Sequence, residues 1–369
     1  MAVPQAASGS DKLDAFACAQ CGAAQTFDPG TSRLICDHCG TAVAIVLAND
    51  AIPSHDLFGK EAITSLHASE LQSGARTVTC KSCGAQAIVT RRADRCAFCA
   101  APLVIETDDG AKTIPPGGVV PFKIDAKAAG DAFGKWMTKR RFAPSDLTSR
   151  SQKGGLDGVY LPYWTFDASS TTQYDGQRGT VRMVSESFTN SEGKTETRQV
   201  EHVDWTPKSG TVSCKDTNVM AIASSSLPEK LVKKLEPWDL VHARGFDPRF
   251  LAGFVAECYK VQPADGFTNA YPIIEQHIRN AINRDIGGDR QQIDSMNVNW
   301  DAVAFRHLLL PLWLASFRYN DKVFHVAVNA QTGEVVGERP WSVGKIVMLV
   351  VAIAAAITAL VVLIAKHHH

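Results

Sequence analysis

Apolar residues fall into two textures along the chain. Before residue 105 they are short groups between paired cysteines; after residue 119 they form longer periodic runs. In that second part, 120–124 predicts a short strand. Residues 126–141 predict an amphipathic helix, with Ala129, Phe133, Trp136 and Met137 on one face. Residues 158–166 are a continuous apolar strand. Residues 179–188 and 195–205 predict a hairpin about a turn at 190–193, which is rich in residues that tolerate unusual backbone angles. A similar order then recurs. Residues 253–261 predict a strand, and 269–286 a helix with Ile274, Ile278, Ile282 and Ile286 on one face, stopped by Gly287 and Gly288. Strands follow at 296–305, 308–319, 323–329 and 334–337. Leu310, Pro311, Leu312 and Trp313 echo Leu161, Pro162, Tyr163 and Trp164, which points either to a duplicated unit or to chance recurrence of a short motif.

Two further segments stand apart. Residues 59–74 carry Ile63, Leu66, His67 and Leu71 at helical spacing between two glycines and predict a connecting helix. Residues 346–365 are apolar except for Thr358 and are bracketed by Lys345 and Lys366. That length matches the roughly 30 Å hydrocarbon core, so a transmembrane helix is expected rather than a buried soluble one. Residues 1–15 have no stretch resembling a signal peptide. The expected placement is therefore a single-pass protein of the inner (cytoplasmic) membrane with its bulk in the cytoplasm, a placement weakly favoured by Arg339 and Lys345 before the helix against Lys366 after it. His367, His368 and His369 are either native or the stub of a purification tag.

The cysteines carry the strongest chemical signal. Eight of the ten form four Cys-x-x-Cys pairs: Cys18 with Cys21, Cys36 with Cys39, Cys80 with Cys83, and Cys96 with Cys99. Two cysteines three apart on a tight turn can point at one ion, and a following glycine lets the chain fold under the sulfurs. Gly22, Gly40 and Gly84 hold that place, but Ala100 follows the last pair. Two turns joined by strands make a tetrahedral S₄ site, so two structural Zn²⁺ sites are expected, with iron as the alternative. His38 lies within one knuckle and reads as solvated, because four thiolates already fill the shell. Arg76, Lys81, Arg91, Arg92 and Arg95 make the second module basic. They either offset the charge of a Zn(Cys)₄ centre or contact phosphate.

No catalytic motif accompanies these modules, and a non-enzyme is expected. Gly193, Lys194 and Thr195 read as a hairpin turn rather than a phosphate loop, since Phe188 stands where the first glycine belongs. Cys214 and Cys258 read as core thiols. Asp157, Asp167 and Asp175 read as turn residues rather than paired acids. Tyr160, Tyr163, Trp164, Phe166, Trp313, Phe317 and Tyr319 either line a groove or fill a sheet core. Lysine plus arginine equals aspartate plus glutamate, 38 each, which argues against a chain built to coat nucleic acid. Hydrophobic residues at 45% are ample for a packed core.

Several stretches together carry a resemblance. They are the cysteine pairs, Ile114 to Phe122, Gly158 to Trp164, Leu235 to Trp238, Ala252 to Tyr259, Asp285 to Asp289, Leu309 to Trp313, and Asn329 to Pro340. In these the chain resembles a bacterial family with a TFIIB-type zinc ribbon, some of whose members carry primosomal or helicase-like names. Ala330 stands where that family's pattern has glycine. The resemblance implies a membrane-associated protein found beside phage-shock-protein-A-like coat proteins and SPFH (flotillin-like) proteins. It implies recruitment of such partners in envelope stress.

The expected architecture is α+β: zinc ribbon 16–46, connecting segment 47–75, zinc ribbon 76–105, an antiparallel-sheet α+β domain at 119–340, and a transmembrane helix at 346–365. The expected function is a non-enzymatic, membrane-anchored adaptor with the bilayer and partner proteins as its contacts. The alternative is a tethered nucleic-acid-binding ribbon protein.

Overall fold

Three strands of about thirty residues each organise the computed structural model. Residues 16–47, 50–59, 66–67, 76–89, 95–101, 112–140, 155–189, 191, 193–319, 322–338 and 342–367 are described. The strands are β1 (Gln25–Phe27), β2 (Arg33–Cys36), β3 (Ala42–Ala44), β4 (His55–Asp56), β5 (Leu66–His67), β6 (Arg76–Thr79), β7 (Gln86–Val89), β8 (Lys112–Thr113), β9 (Gly118–Val119), β10 (Asp157–Thr189), β11 (Thr195–Ile222), β12 (Arg244–Gly245), β13 (Val255–Glu257), β14 (Arg290–Tyr319), β15 (Lys322–Asn329) and β16 (Val335–Gly337). The helices are α1 (Ala126–Thr138), α2 (Glu229–Lys233), α3 (Pro263–Ile286) and α4 (Val343–His367).

The centre of the sheet has a local two-fold relation. β10 and β14 are antiparallel, with Leu161 opposite Leu310, Pro162 opposite Leu309, and Pro311 opposite Tyr160. β13 lies parallel to β10 at Val159 and Tyr160, while β9 lies parallel to β14 at Leu308 and Leu309. β11 starts its pairing at Tyr163 with Ile222, and β15 at Leu312 with Asn329. Two hydrogen bonds obey the same relation. Trp164 Nε1 donates to the Val261 carbonyl and Trp313 Nε1 to the Ile124 carbonyl, each at 2.8 Å. Both carbonyls sit just before a helix, α3 and α1 respectively. Each tryptophan therefore anchors a helix that leads into the opposite long strand. The indole N–H groups are buried and need an acceptor, and here each fixes where a helix begins.

The helices follow from their caps and apolar stripes. Asp125 caps α1 by accepting from Ala128 N at 2.7 Å, and Ala129, Phe133 and Met137 are buried at i, i+4 and i+8. In α3, Ile274, Ile278, Ile282 and Ile286 are fully buried, and Gly287 ends the helix with φ 65°. α3 packs along β10, β11 and β14. At Gly266 it comes so close to Trp164 that an added Cβ would stand 2.5 Å from the indole.

Under α3 the long strands carry small residues inward. Ala168, Ser170, Thr172, Tyr174 and Gly176 are buried, while Asp167, Gln173 and Asp175 face outward. Pairing with β14 ends at Gly179 and Arg290. β10 and β11 continue alone from Thr180 opposite Asp204 to Thr189 opposite Thr195. This two-stranded arm extends about 30 Å at about 3.4 Å per residue.

The structure corrects several expectations. The segments expected at 158–166 and 179–188 are one strand, as are those at 296–305 and 308–319. The polar stretches between them still pair backbone to backbone, because the burial that holds them comes from α3. Asp157, Asp167 and Asp175 accordingly lie within β10 instead of in turns. The sheet is mixed, not antiparallel, because β9 and β13 enter in parallel. Leu66–His67 is a strand paired with β8 rather than part of a helix; the rest of the expected helix, 60–65 and 68–74, lies outside the described residues.

The membrane span is also corrected. Among the described residues no helix is long and apolar enough to cross a membrane. The side chains of α4 are described as far as Leu360. Residues 361–365 of the expected span lie beyond the described side chains. The lack of a described helix able to cross overturns the expected transmembrane helix, and with it the single-pass inner-membrane placement and the bilayer contact drawn from it.

Candidate metal centres

Each ribbon is two knuckles of the same design. In all four, the first cysteine's N–H bonds a carbonyl five residues on, and its carbonyl accepts from the residue four on. The first bond runs from Cys18 to Ala23 at 2.7 Å, Cys36 to Thr41 at 2.9 Å, Cys80 to Ala85 at 2.8 Å and Cys96 to Ala101 at 2.8 Å. The returning donors are Gly22, Gly40, Gly84 and Ala100. The three glycines have φ of 69–76° and Ala100 has φ 56°, so alanine occupies the left-handed place that glycine fills elsewhere.

These turns gather the sulfurs. Cys18, Cys21, Cys36 and Cys39 offer Sγ atoms all within 4.8 Å of one another, and so do Cys80, Cys83, Cys96 and Cys99. Each tetrad could hold one metal ion, and a soft S₄ donor set with no fifth group is compatible with Zn²⁺. Three thiols are eased toward ionisation, Cys18 and Cys39 in the first tetrad and Cys80 in the second; the N–H groups of Gln20 and Cys21 do this for Cys18. Cys39 is brought down to about 6 by the Thr41 hydroxyl, 3.1 Å away, and the Thr41 N–H. Burial opposes ionisation of Cys80, yet the N–H groups of Cys83 and Ser82 bring it to about 7. His38 is exposed, outside the sulfur cluster.

The two centres differ in how they join the body. In the second, β7 pairs with β13 of the central sheet. Ser316 Oγ donates to the Ala97 carbonyl at 2.6 Å, and Arg95 pairs with Asp157 at 2.9 Å. Cys80, Cys96 and Cys99 are buried there. The first ribbon forms its own sheet, β1-β2-β3, and inserts Phe27 and Leu34 against Phe250 and Phe122. Its Cys21 and Cys39 are exposed.

Other sequence candidates resolve into structural roles. Tyr160, Trp164, Phe166, Trp313 and Phe317 fill the core. Tyr163 is buried too but borders a cleft, and the side chain of Tyr319 lies outside the described residues. Cys258 is buried and Cys214 half-buried, each with its thiol pushed up by burial. Arg95 is spent on Asp157, while Arg91 and Arg92 lie outside the described residues.

Two features had no sequence signal, since they unite residues far apart in the chain. His277 Nδ1 on α3 lies 2.5 Å from Asp216 on β11. Glu257 is buried with neither carboxyl oxygen hydrogen-bonded among the described residues, and burial pushes it up to about 7. The Ser224 and Ser226 hydroxyls ease that carboxylate without closing a hydrogen bond.

The sequence matches no protein-family model, and no solved structure matches it. It is similar to YdjG, an uncharacterized protein of Bacillus subtilis (strain 168), with 28% identity over 239 residues. The match takes in 63% of this chain and 66% of that relative, just under two thirds of the relative's length.

Proposed function

We propose that this chain is a non-enzymatic, zinc-stabilised scaffold that binds a partner protein through its β-arm. Each tetrad holds one structural zinc, because four thiolates close the tetrahedral shell and leave no position to activate water. The observation that carries the proposal is the arm itself. An isolated two-stranded hairpin is marginal in water, and this one extends from the body with Met183 60%, Trp205 41% and Phe188 38% exposed. Its charges are matched across the strands, Arg182 with Asp204 and Arg198 with Glu186. A partner strand or apolar surface can therefore cover it without stranding an unpaired ion. The coat-like and flotillin-like proteins implied by the family resemblance are the first partners to test.

The test is an arm-shortened variant in which Thr180 is joined to Asp204 through an Asn-Gly turn. The expected variant keeps its metal and its unfolding midpoint but no longer co-purifies with the partner that the full chain retains. Retention of the partner by the shortened chain would overturn the proposal. So would a full chain that brings down nucleic acid alone, releasable by salt.

A further inference from the structure

A cleft of about 450 Å³ opens between the end of β11, the segment that carries α2, and the first half of α3. It is apart from both sulfur tetrads and from the arm. Its volume lies within the range of small-molecule sites. Met220, Ile222, Val232 and Ile273 give it apolar walls, and Ile273 is 47% exposed although it lies in the middle of a helix.

The polar groups of the cleft are unevenly matched. Lys233 is the cation among its lining residues, and it is bound to Glu229 at 2.7 Å. Glu236 also lines the cleft. It is exposed, has no hydrogen bond or ion pair among the described residues and feels Lys233 only through space, while partial desolvation opposes the charged form. Tyr163 lines the cleft too. Among the described residues its buried hydroxyl and the Trp238 indole N–H lie close enough to influence each other, but neither closes a hydrogen bond. Ser224 and Ser225 add hydroxyl acceptors. The cleft thus offers one uncompensated carboxylate, several neutral acceptors and an apolar wall, with its only lysine already occupied. A carboxylate at the edge of an apolar cleft is stabilised by a donor-rich cation, and the wall by a hydrocarbon chain.

We infer that this cleft is a binding site for a small alkylammonium compound, a protonated amine carrying an apolar chain, with Glu236 as the counter-ion. The amine head meets Glu236 and the hydroxyl acceptors, and the chain lies against Met220, Ile222 and Ile273. An alkyl carboxylate of the same length would face Glu236 with like charge, and an alcohol would leave the carboxylate uncompensated.

Calorimetric titration of the full, metal-loaded chain with octylammonium, octanoate and octanol tests this directly. Octylammonium is expected to bind saturably and about tenfold or more tightly than either analogue, the difference a charge-assisted hydrogen bond supplies. Glu236→Gln should remove that preference, and Ile273→Trp should weaken octylammonium by filling the cleft. Both variants must keep the parent's unfolding midpoint. Equal binding of all three compounds, no binding of octylammonium, or a preference that survives Glu236→Gln would each overturn the assignment. Because none of these readouts involves the arm, failure here leaves the scaffold proposal standing, and the converse also holds.

Discussion

At the scale of single residues, Glu257 and Ala100 each bear a cost that the rest of the structure offsets. The carboxyl of Glu257 titrates at about 7 in the folded chain because burial disfavours its charge. Its unfolded value is the ordinary 4.5. A folded pKa above the unfolded one means the native state holds the proton longer. Its contribution is therefore fully present below about 4.5 and is lost as pH rises through about 7. The difference is on the order of 3 kcal/mol. Glu257→Gln should flatten that slope, leaving stability near the parent's at about pH 5 and above it at about pH 8. Denaturant titrations at the two pH values measure it, and an unchanged slope would place the titration elsewhere. Ala100 poses a backbone question. With φ 56° in the place of a knuckle glycine, it should be improved by Ala100→Gly, by about 1 kcal/mol. Thermal unfolding of the metal-loaded variant checks this, and a lower midpoint would show that the alanine methyl contributes packing instead.

At the scale of elements, the two ribbons share a design but should behave differently. Exposed Cys21 and Cys39 leave the first centre open to a competing chelator, whereas the second has three buried cysteines and a strand inside the central sheet. A chromogenic chelator should therefore withdraw two metal ions per chain in two phases, and Cys21→Ser should abolish the faster one. A single phase for both ions would contradict the asymmetry. Cys96→Ser should lower the midpoint of the whole chain, because ribbon 2 is held by β13 and Ser316. These tetrads were legible in the sequence because their ligands are local: spacing and following residues define each knuckle, and only the pairing of knuckles requires the fold. The long strands were not. The run from Ser169 to Gln173 has no apolar alternation to mark a strand, because the apolar partner of its buried face is the isoleucine stripe of α3, more than a hundred residues away. The helix expected at 59–74 fails at Leu66–His67 for a related reason, since pairing with β8 overrides a local period. The cleft at Glu236 was invisible for the same cause, drawing as it does on four separate segments.

At the scale of the whole molecule, the two-fold relation of β10 and β14 ties the parts together. Repeated Leu-Pro-x-Trp segments sit opposite each other, and each tryptophan secures the start of a helix entering the opposite strand. Around that centre, ribbon 2 extends the sheet through β13, ribbon 1 packs near Phe250, and the arm leaves from the far end of β10 and β11. On the proposed reading, a body with two metal-stapled ribbons and one projecting, charge-balanced arm holds another protein in place. The most direct measurement is photo-crosslinking in the living source cell, with a photoreactive residue at Met183 on the arm and, for comparison, at Gln173 on the outward face of the body. The account predicts one discrete protein adduct from position 183 and none from position 173. No adduct from the arm, or the same adduct from both positions, would contradict it.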